Sequence, residues 1–181
     1  IITFNLLNKY KLLNNSVCII GDGKANFVGG LLGLNKNIKI FSINLSEVLI
    51  HDYLILQKTK LIDDDSIIVV KNKNDLLSTN KKLFLIDASN AHLLENQIIN
   101  LFVNIASMQE MKLEHVKRYF KIISSNKAYF YCCNREYKKL PDGQELIFDK
   151  YPWEQGKFHF YEDCPWQKKF YDSRPPFIKR Y

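Results

Sequence analysis

The stretch Ser16-Val17-Cys18-Ile19-Ile20-Gly21-Asp22-Gly23-Lys24-Ala25-Asn26 carries the fold. After Ser16 it is a continuous apolar run, the mark of a strand covered on both faces in a parallel sheet. The run stops at Gly21-Asp22-Gly23, a tight turn. Gly21 and Gly23 have no side chains, so a ligand can approach their backbone, and a helix starting after the turn offers free N–H groups. A tight strand-to-helix turn with no ligand is the plainer reading. The spacing G-x-G-x-A matches only part of the dinucleotide fingerprint, because Asn26 stands where that fingerprint has its third glycine.

Outward from this turn, strand-like and helix-like periods alternate. Residues 25–34 read as a helix that is weak by propensity, since Gly29, Gly30 and Gly33 fall within it, although glycines let a helix pack close to a sheet. Residues 38–43 read as the second strand. Residues 45–57 read as a helix with Leu45, Val48, Leu49 and Leu56 on one face. Ile67–Val70 and residues 83–86 are two further strands, joined by a polar stretch that is a loop or a poor helix. A strand at 100–105 leads to an amphipathic helix marked by Met111, Val116, Tyr119, Phe120 and Ile123, and then to a strand at 128–133. This order predicts an α/β domain whose mostly parallel sheet has helices on both faces. One domain spans 1–181, with a core at 16–133 and a different segment at 134–181. Seventeen of the twenty-four aromatic residues and all five prolines lie from Tyr119 onward. Pro141-Asp142-Gly143 is a turn signal that predicts a hairpin between 129–133 and 146–148. Beyond Tyr151 an irregular, aromatic-anchored tail is expected.

Composition narrows the function classes. The chain has 181 residues, 46% hydrophobic and 25% charged, the balance of a globular domain. Twenty-six Lys and Arg against nineteen Asp and Glu give +7. Basic residues never run beyond two in a row, so the charge reads as a solvated lysine-rich surface and no nucleic-acid partner is expected. Apolar stretches fall far short of the ~20 residues that span a bilayer. Ile1-Ile2-Thr3 lacks the features of a secretory leader, so the cytoplasm is the default, and a chain without an initiator methionine reads as a fragment lacking its N-terminal part. Cysteines stand at 18, 132, 133 and 164 with no C-x-x-C pair, and neighbours on a strand face opposite ways, so no metal site is expected. The histidines at 51, 92, 115 and 159 read as surface or boundary residues.

Three places hold polar residues at predicted strand ends, where open α/β sheets bind ligands. The first is the glycine turn. The second is Asn44, at the position where nucleotide-binding folds carry an acid for ribose hydroxyls; Asn44-Leu45-Ser46-Glu47 is also close to a helix capping box. The third is Asn104-Ile105-Ala106-Ser107-Met108-Gln109-Glu110, where Ser107 and Glu110 read as a capping box and Asn104 and Gln109 as a substrate shelf.

Several strings together resemble the bacterial sugar O-methyltransferases, within the class I S-adenosylmethionine-dependent methyltransferases. They are V-C-I-I-G-D-G-K-A-N-F (17–27), F-S-I-N-L-S-E-V-L (41–49), N-I-A-S-M-Q-E-M (104–111), Y-C-C-N-R-E (131–136), Y-P-W (151–153), C-P-W (164–166) and R-P-P-F (174–177). The resemblance runs from about Val17 to the C-terminus. It implies a Rossmann-like methyltransferase core with S-adenosylmethionine as cofactor and a sugar, nucleotide-sugar or glycan as acceptor, in surface polysaccharide or nucleotide-sugar modification. By matching motif, Gly21, Asp22 and Gly23 line the methionine end of the cofactor, Asn44 and Leu45 the ribose, and Asp87 and Ala88 the adenine. Asn104 and Ile105 lie beside the transferred methyl. Glu110 is the candidate base and Gln109 the residue that orients the sugar, while Asn134, Arg135, Tyr151 and Trp153 form the acceptor wall. Two positions depart from the class: Ile19, two places before the first glycine, and Asn44 both stand where an acid is common. These departures keep a non-catalytic binding or scaffold subunit in play as a rival. A nicotinamide-dependent sugar-modifying enzyme is a second, against which the Asn26 break and the lack of Tyr-x-x-x-Lys weigh.

Overall fold

The computed structural model describes residues 2–34, 37–153, 161–163 and 177–180. Helix α1 (Ile2–Lys9) precedes β1 (Ser16–Ile20), α2 (Asn26–Leu34), β2 (Lys39–Asn44) and α3 (Ser46–Thr59). Strands β3 (Ile67–Val70), β4 (Leu83–Asp87) and β5 (Leu101–Ile105) follow, then α4 (Leu113–Ser125) and β6 (Tyr129–Asn134). The chain goes on through β7 (Tyr137–Lys139), β8 (Glu145–Ile147), β9 (Tyr161–Asp163) and β10 (Phe177–Arg180). One sheet of eight strands runs in the order β3-β4-β2-β1-β5-β6-β10-β9. The six from β3 to β6 are parallel, and β10 and β9 pair antiparallel.

β1 sits in the middle of the parallel strands, which is why all five of its residues are buried. Alternate residues feed two cores. Cys18, Ile20, Phe41, Phe84, Phe102, Phe130 and Cys132 pack beneath α4 and the 3-10 turn Ala88–Leu94. Val17, Ile19, Ile40, Leu85, Val103, Tyr131 and Cys133 pack beneath α1, α2 and α3. Cys132 and Cys133 therefore face opposite sides of the sheet, as strand geometry requires. Each fully buried phenylalanine on this sheet, such as Phe84 or Phe102, contributes about 1.5–3 kcal/mol of transfer free energy.

The predicted strands and helices appear within a residue or two of their expected ends, apart from the following differences. The glycines of α2 do not serve the sheet as expected: a Cβ on Gly30 would lie 2.5 Å from the ring of Phe4 on α1, one on Gly29 would touch Leu61 and Leu56, and one on Gly33 would meet nothing within 4 Å. Phe4 also stacks on Phe27, with centroids 4.4 Å apart. Leu45, expected on the apolar face of the second helix, is exposed, and Asp52 takes a buried place on that face between Leu49 and Leu56. The polar stretch after β3 holds a single 3-10 turn, Lys73–Leu77, closed by a capping box of Asn72 and Asp75. The Pro141-Asp142-Gly143 turn does close a hairpin, but its first strand is β7 and not 129–133, because that segment is already paired to β5 inside the large sheet. The tail is not wholly irregular: β9 and β10 extend the sheet beyond β6. The C-P-W turn, residues 174–176 and His159 lie outside the described residues.

Candidate functional site

The carboxyl ends of β1, β2, β4 and β5 converge on the glycine turn. Gly21 has φ +73°, and its N–H donates to the Ile43 carbonyl at 2.8 Å, tying the turn to the neighbouring strand. A Cβ on Gly21 would lie 2.3 Å from Ser107 Oγ, so this glycine is demanded by packing against the loop after β5. Gly23, at φ +71°, is different: nothing lies within 4 Å of where its Cβ would be. The turn thus has a closed half and an open half. Beside it a cleft of about 260 Å³ is lined by Gly21, Asp22 and Asn26, by Ile19 and Ile105 of the strands, and by Thr3 and Phe4 of α1. α1 had no motif to announce it in the sequence.

Asp22 folds back onto α2. Its carboxylate accepts the Phe27 N–H at 2.9 Å and the Val28 N–H at 2.8 Å. Burial pushes its pKa up, and those two N–H groups pull against that rise. The anion position at the start of this helix is therefore filled by the chain's own carboxylate. A dinucleotide's pyrophosphate needs that same position.

Asn44 and Asp87 are register partners at the tips of β2 and β4. Asn44 does not cap α3. Its Oδ1 accepts only the adjacent Leu45 N–H, at 3.1 Å, and α3 has no side-chain cap. Its Nδ2 donates to Asp52 Oδ2 at 3.3 Å. Asp87 accepts from the hydroxyls of Ser46 and Ser89 and from the Ser89 N–H, and these bonds hold its carboxyl below the usual range. A charged, half-buried carboxylate thus stands beside Asn44, supplied by the strand inserted between β2 and β3. Ala88, next in the chain, opens the 3-10 turn that Asp87 caps. Leu45 is exposed beside them.

Asp52 was missed by sequence reasoning, although an acid at i+3 from Leu49 and i−4 from Leu56 on an apolar stripe was a visible signal. Burial raises its pKa, while the Asn44 amide and the Ala25 N–H favour its charge. For a carboxyl raised in the folded state, the unfolded chain ionises first, so stability falls as pH climbs from the unfolded toward the folded pKa. Asp52→Asn removes that penalty. It is expected to raise the urea midpoint at pH 7, the gain shrinking to nothing as the pH is lowered below the usual carboxylate range, as read by urea unfolding at the two pH values.

The third place is a buried hydrogen-bond network. Asn104 is fully buried; its Nδ2 donates to the Ile20 carbonyl at 2.8 Å and to Ser107 Oγ, and its Oδ1 accepts from Met108 N–H at 3.2 Å and Asn134 Nδ2 at 2.7 Å. Ser107 Oγ donates to the same Ile20 carbonyl at 2.9 Å, so the expected Ser107–Glu110 capping box does not form, and the hydroxyl braces the glycine turn instead. Asn134 Oδ1 accepts the Gln109 N–H at 3.1 Å, and Gln109 Oε1 accepts the Arg135 N–H at 2.9 Å. Gln109 Nε2 reaches Glu110 Oε1 at 3.2 Å, and Lys138 Nζ of β7 stands 3.2 Å from the same oxygen. Glu110 is exposed at the end of this chain of bonds. Asn104 and Asn134 are thus spent on the network, and beside them Ile105 faces the cleft.

The expected acceptor wall does not assemble. Arg135 is exposed beside Gln109, but Tyr151 and Trp153 are buried in an aromatic cluster with Phe120, Phe130 and Phe148. Trp153 Nε1 donates to the Phe148 carbonyl at 2.6 Å. Phe130 is the second residue of β6, so this cluster lies toward the amino ends of the strands, away from the glycine turn. Their large apolar area decides the matter, since rings of this size gain most from burial. Among the described residues no cluster of His, Cys, Asp and Glu suits a metal ion.

No known protein family and no curated protein matches the sequence. Solved structures do match the fold. An S-adenosylmethionine-dependent methyltransferase from Aquifex aeolicus superposes with a TM-score of 0.58 at 10% identity, covering 98% of this chain and 87% of the other. The methyltransferase domain of bacterial CtHen1 gives 0.61 at 12% identity, covering 99% and 94%. The mitomycin 7-O-methyltransferase MmcR gives 0.59 at 10% identity, covering 92% of this chain and 48% of that one. With its mostly parallel sheet, flanking helices and central glycine turn, the chain has the Rossmann-like fold of the S-adenosylmethionine-dependent methyltransferases.

Proposed function

We propose that this protein is an S-adenosylmethionine-dependent O-methyltransferase acting on a sugar hydroxyl, free or in a nucleotide sugar or glycan, in the cytoplasm. The observation that carries the cofactor assignment is Asp22. Its carboxylate holds the amide groups a dinucleotide phosphate would need, which weighs against the nicotinamide rival, whereas a cationic sulfonium ligand needs no phosphate cradle. The open backbone at Gly23 and the Asn44–Asp87 pair fit the rest of such a ligand: space at one end, and a carboxylate with an amide for two ribose hydroxyls at the other. Asp87 supplies the charge that Asn44 lacks at the tip of β2. Leu45 lies beside the ribose and Ala88 beside the adenine in this reading, and Ile105 beside the reacting end. The cofactor supplies an activated methyl on a sulfonium, so the hard chemistry is its own.

The chain's residues then align the acceptor and handle its proton. Alignment in a water-excluded cleft is worth up to about 7–11 kcal/mol. A sugar hydroxyl is a weak nucleophile at neutral pH, and a positioned base adds about 10²–10⁴ in rate. Glu110 is the base in this proposal, held by Lys138 and by Gln109, which is buried behind it with both amide atoms bonded within the chain and so orients Glu110 and not, as the resemblance implied, the acceptor itself. Arg135, exposed next to Gln109, takes a phosphate when the acceptor is a nucleotide sugar. The oxygen acceptor of MmcR, named in its own description, is compatible with this reaction type.

Calorimetry with S-adenosylmethionine and with NAD tests the assignment. Micromolar binding of the first alone supports the transferase; binding of neither favours a non-catalytic scaffold. Asp87→Asn sharpens the test, because Asn caps a helical turn as well as Asp but brings no charge. We expect about a tenfold loss of S-adenosylmethionine affinity with the fold retained by circular dichroism and a slightly lower melting temperature, since the charge-assisted bonds from Ser46 and Ser89 weaken.

A further inference from the structure

We propose that two copies of this chain associate about a two-fold axis by pairing β3 with β3, antiparallel, to make one continuous sheet. Among the described residues β3 pairs only with β4, so its outer edge carries unpaired backbone groups. Such edges recruit another strand unless charge, bulges or a covering element block them. Here the strand itself is Ile67-Ile68-Val69-Val70, with no charge and no proline. Val69 is 57% exposed on the α3 side of the sheet, and Ile50 and Leu54 of α3 are 63% and 58% exposed. Val69 and Ile50 line the same apolar groove of about 530 Å³ between helix and edge strand.

The flanking charges select the partner. Asp63, Asp64 and Asp65 precede the strand, and Lys71 and Lys73 follow it. All five are exposed, and none is in an ion pair among the described residues. Asp64 is used within the chain by Tyr53 and Gln57, and Asp75 spends its carboxylate on the Lys71 and Asn72 N–H groups. The stretch is acidic, then apolar, then basic, so it complements itself only when reversed. In an antiparallel pair about a two-fold perpendicular to the sheet, residues that face each other lie on the same side and their numbers sum to an even value. Centring on Ile68 sets Ile67 opposite Val69 of the second copy, and directs Asp65 toward its Lys71 and Asp63 toward its Lys73. Ile50 and Leu54 of the two α3 helices then flank the axis and bury one another. A parallel arrangement would set acid against acid. A partner of unrelated sequence has no such match.

Sedimentation velocity from 1 to 100 µM, with hydrogen exchange on the β3 amides, tests this. The expected result is a monomer–dimer equilibrium, weakened by added salt, in which the Ile67–Val70 amides gain protection with concentration. Val69→Lys, at an exposed position where the fold tolerates it, is expected to raise the dissociation constant at least tenfold with unchanged circular dichroism. Lys71→Asp and Asp65→Lys are each expected to weaken the dimer, and the double variant to recover it. A monomer throughout the range overturns the proposal. So does a dimer indifferent to Val69→Lys, or one in which the double variant is no better than the singles.

Discussion

Glu110→Gln is expected to lower turnover by about 100-fold or more while leaving S-adenosylmethionine affinity and melting temperature in place. The structure makes this test cleaner than the sequence did. Sequence reasoning had Glu110 closing a capping box with Ser107, a role that Gln would fill nearly as well and in which the variant would be almost silent. Ser107 instead braces the Ile20 carbonyl, and Glu110 is exposed at the end of a bonded chain that starts at Asn104. Gln keeps the size of Glu and can still accept from Gln109 Nε2, so it changes one thing, the capacity to take a proton. Lys138 loses an exposed ion partner, which costs about 0–1 kcal/mol and does not touch the cleft. Single-turnover rates with a panel of sugar and nucleotide-sugar acceptors are the measurement. An unchanged rate removes Glu110 as base, and the reaction then proceeds by alignment alone.

Asn104→Asp is expected to be the most damaging isosteric change in the chain, destabilising it by about 3–5 kcal/mol at pH 7. The amide nitrogen donates to the Ile20 carbonyl and to Ser107 Oγ; an oxygen in its place turns one bond into a repulsion between acceptors and leaves a buried charge. Since a domain is stable by only about 5–15 kcal/mol, the variant should unfold at much lower urea than the parent. Protonation returns one donor, so the deficit is expected to shrink as pH is lowered toward 4. A midpoint within experimental error of the parent's would mean that the network is dispensable. Asn104→Asp separates support from chemistry, because it acts on the floor under the glycine turn and on no group exposed in the cleft.

The sheet was legible because its strands are buried on both faces. Continuous apolar runs such as Val17–Ile20 and residues 83–86 have few other places to go, and the 3.6-residue spacing from Val116 to Ile123 fits only a helix. The glycine turn was legible because a positive φ at Gly21 and Gly23 is a local demand that glycine meets cheaply. Capping boxes were misread for the same local reason. A pattern of Ser or Asn followed by Glu states what a helix start can use, while the hydroxyl of Ser107 found a stronger claim across the sheet at Ile20, and the amide of Asn44 one at Asp52, two turns into the helix that follows.

By itself, then, the sequence determined the class of fold, the alternation of strand and helix, and the glycine turn between the first strand and the helix after it, because these follow from hydrophobic period and backbone freedom along short stretches. Tertiary structure alone decided that Asp87 stands beside Asn44 and that α1 walls the cleft. It also decided that Tyr151 and Trp153 serve the core. Each of these joins residues far apart in the chain or weighs an aromatic's burial against its exposure, and strand order and packing set that balance where local pattern has no reach.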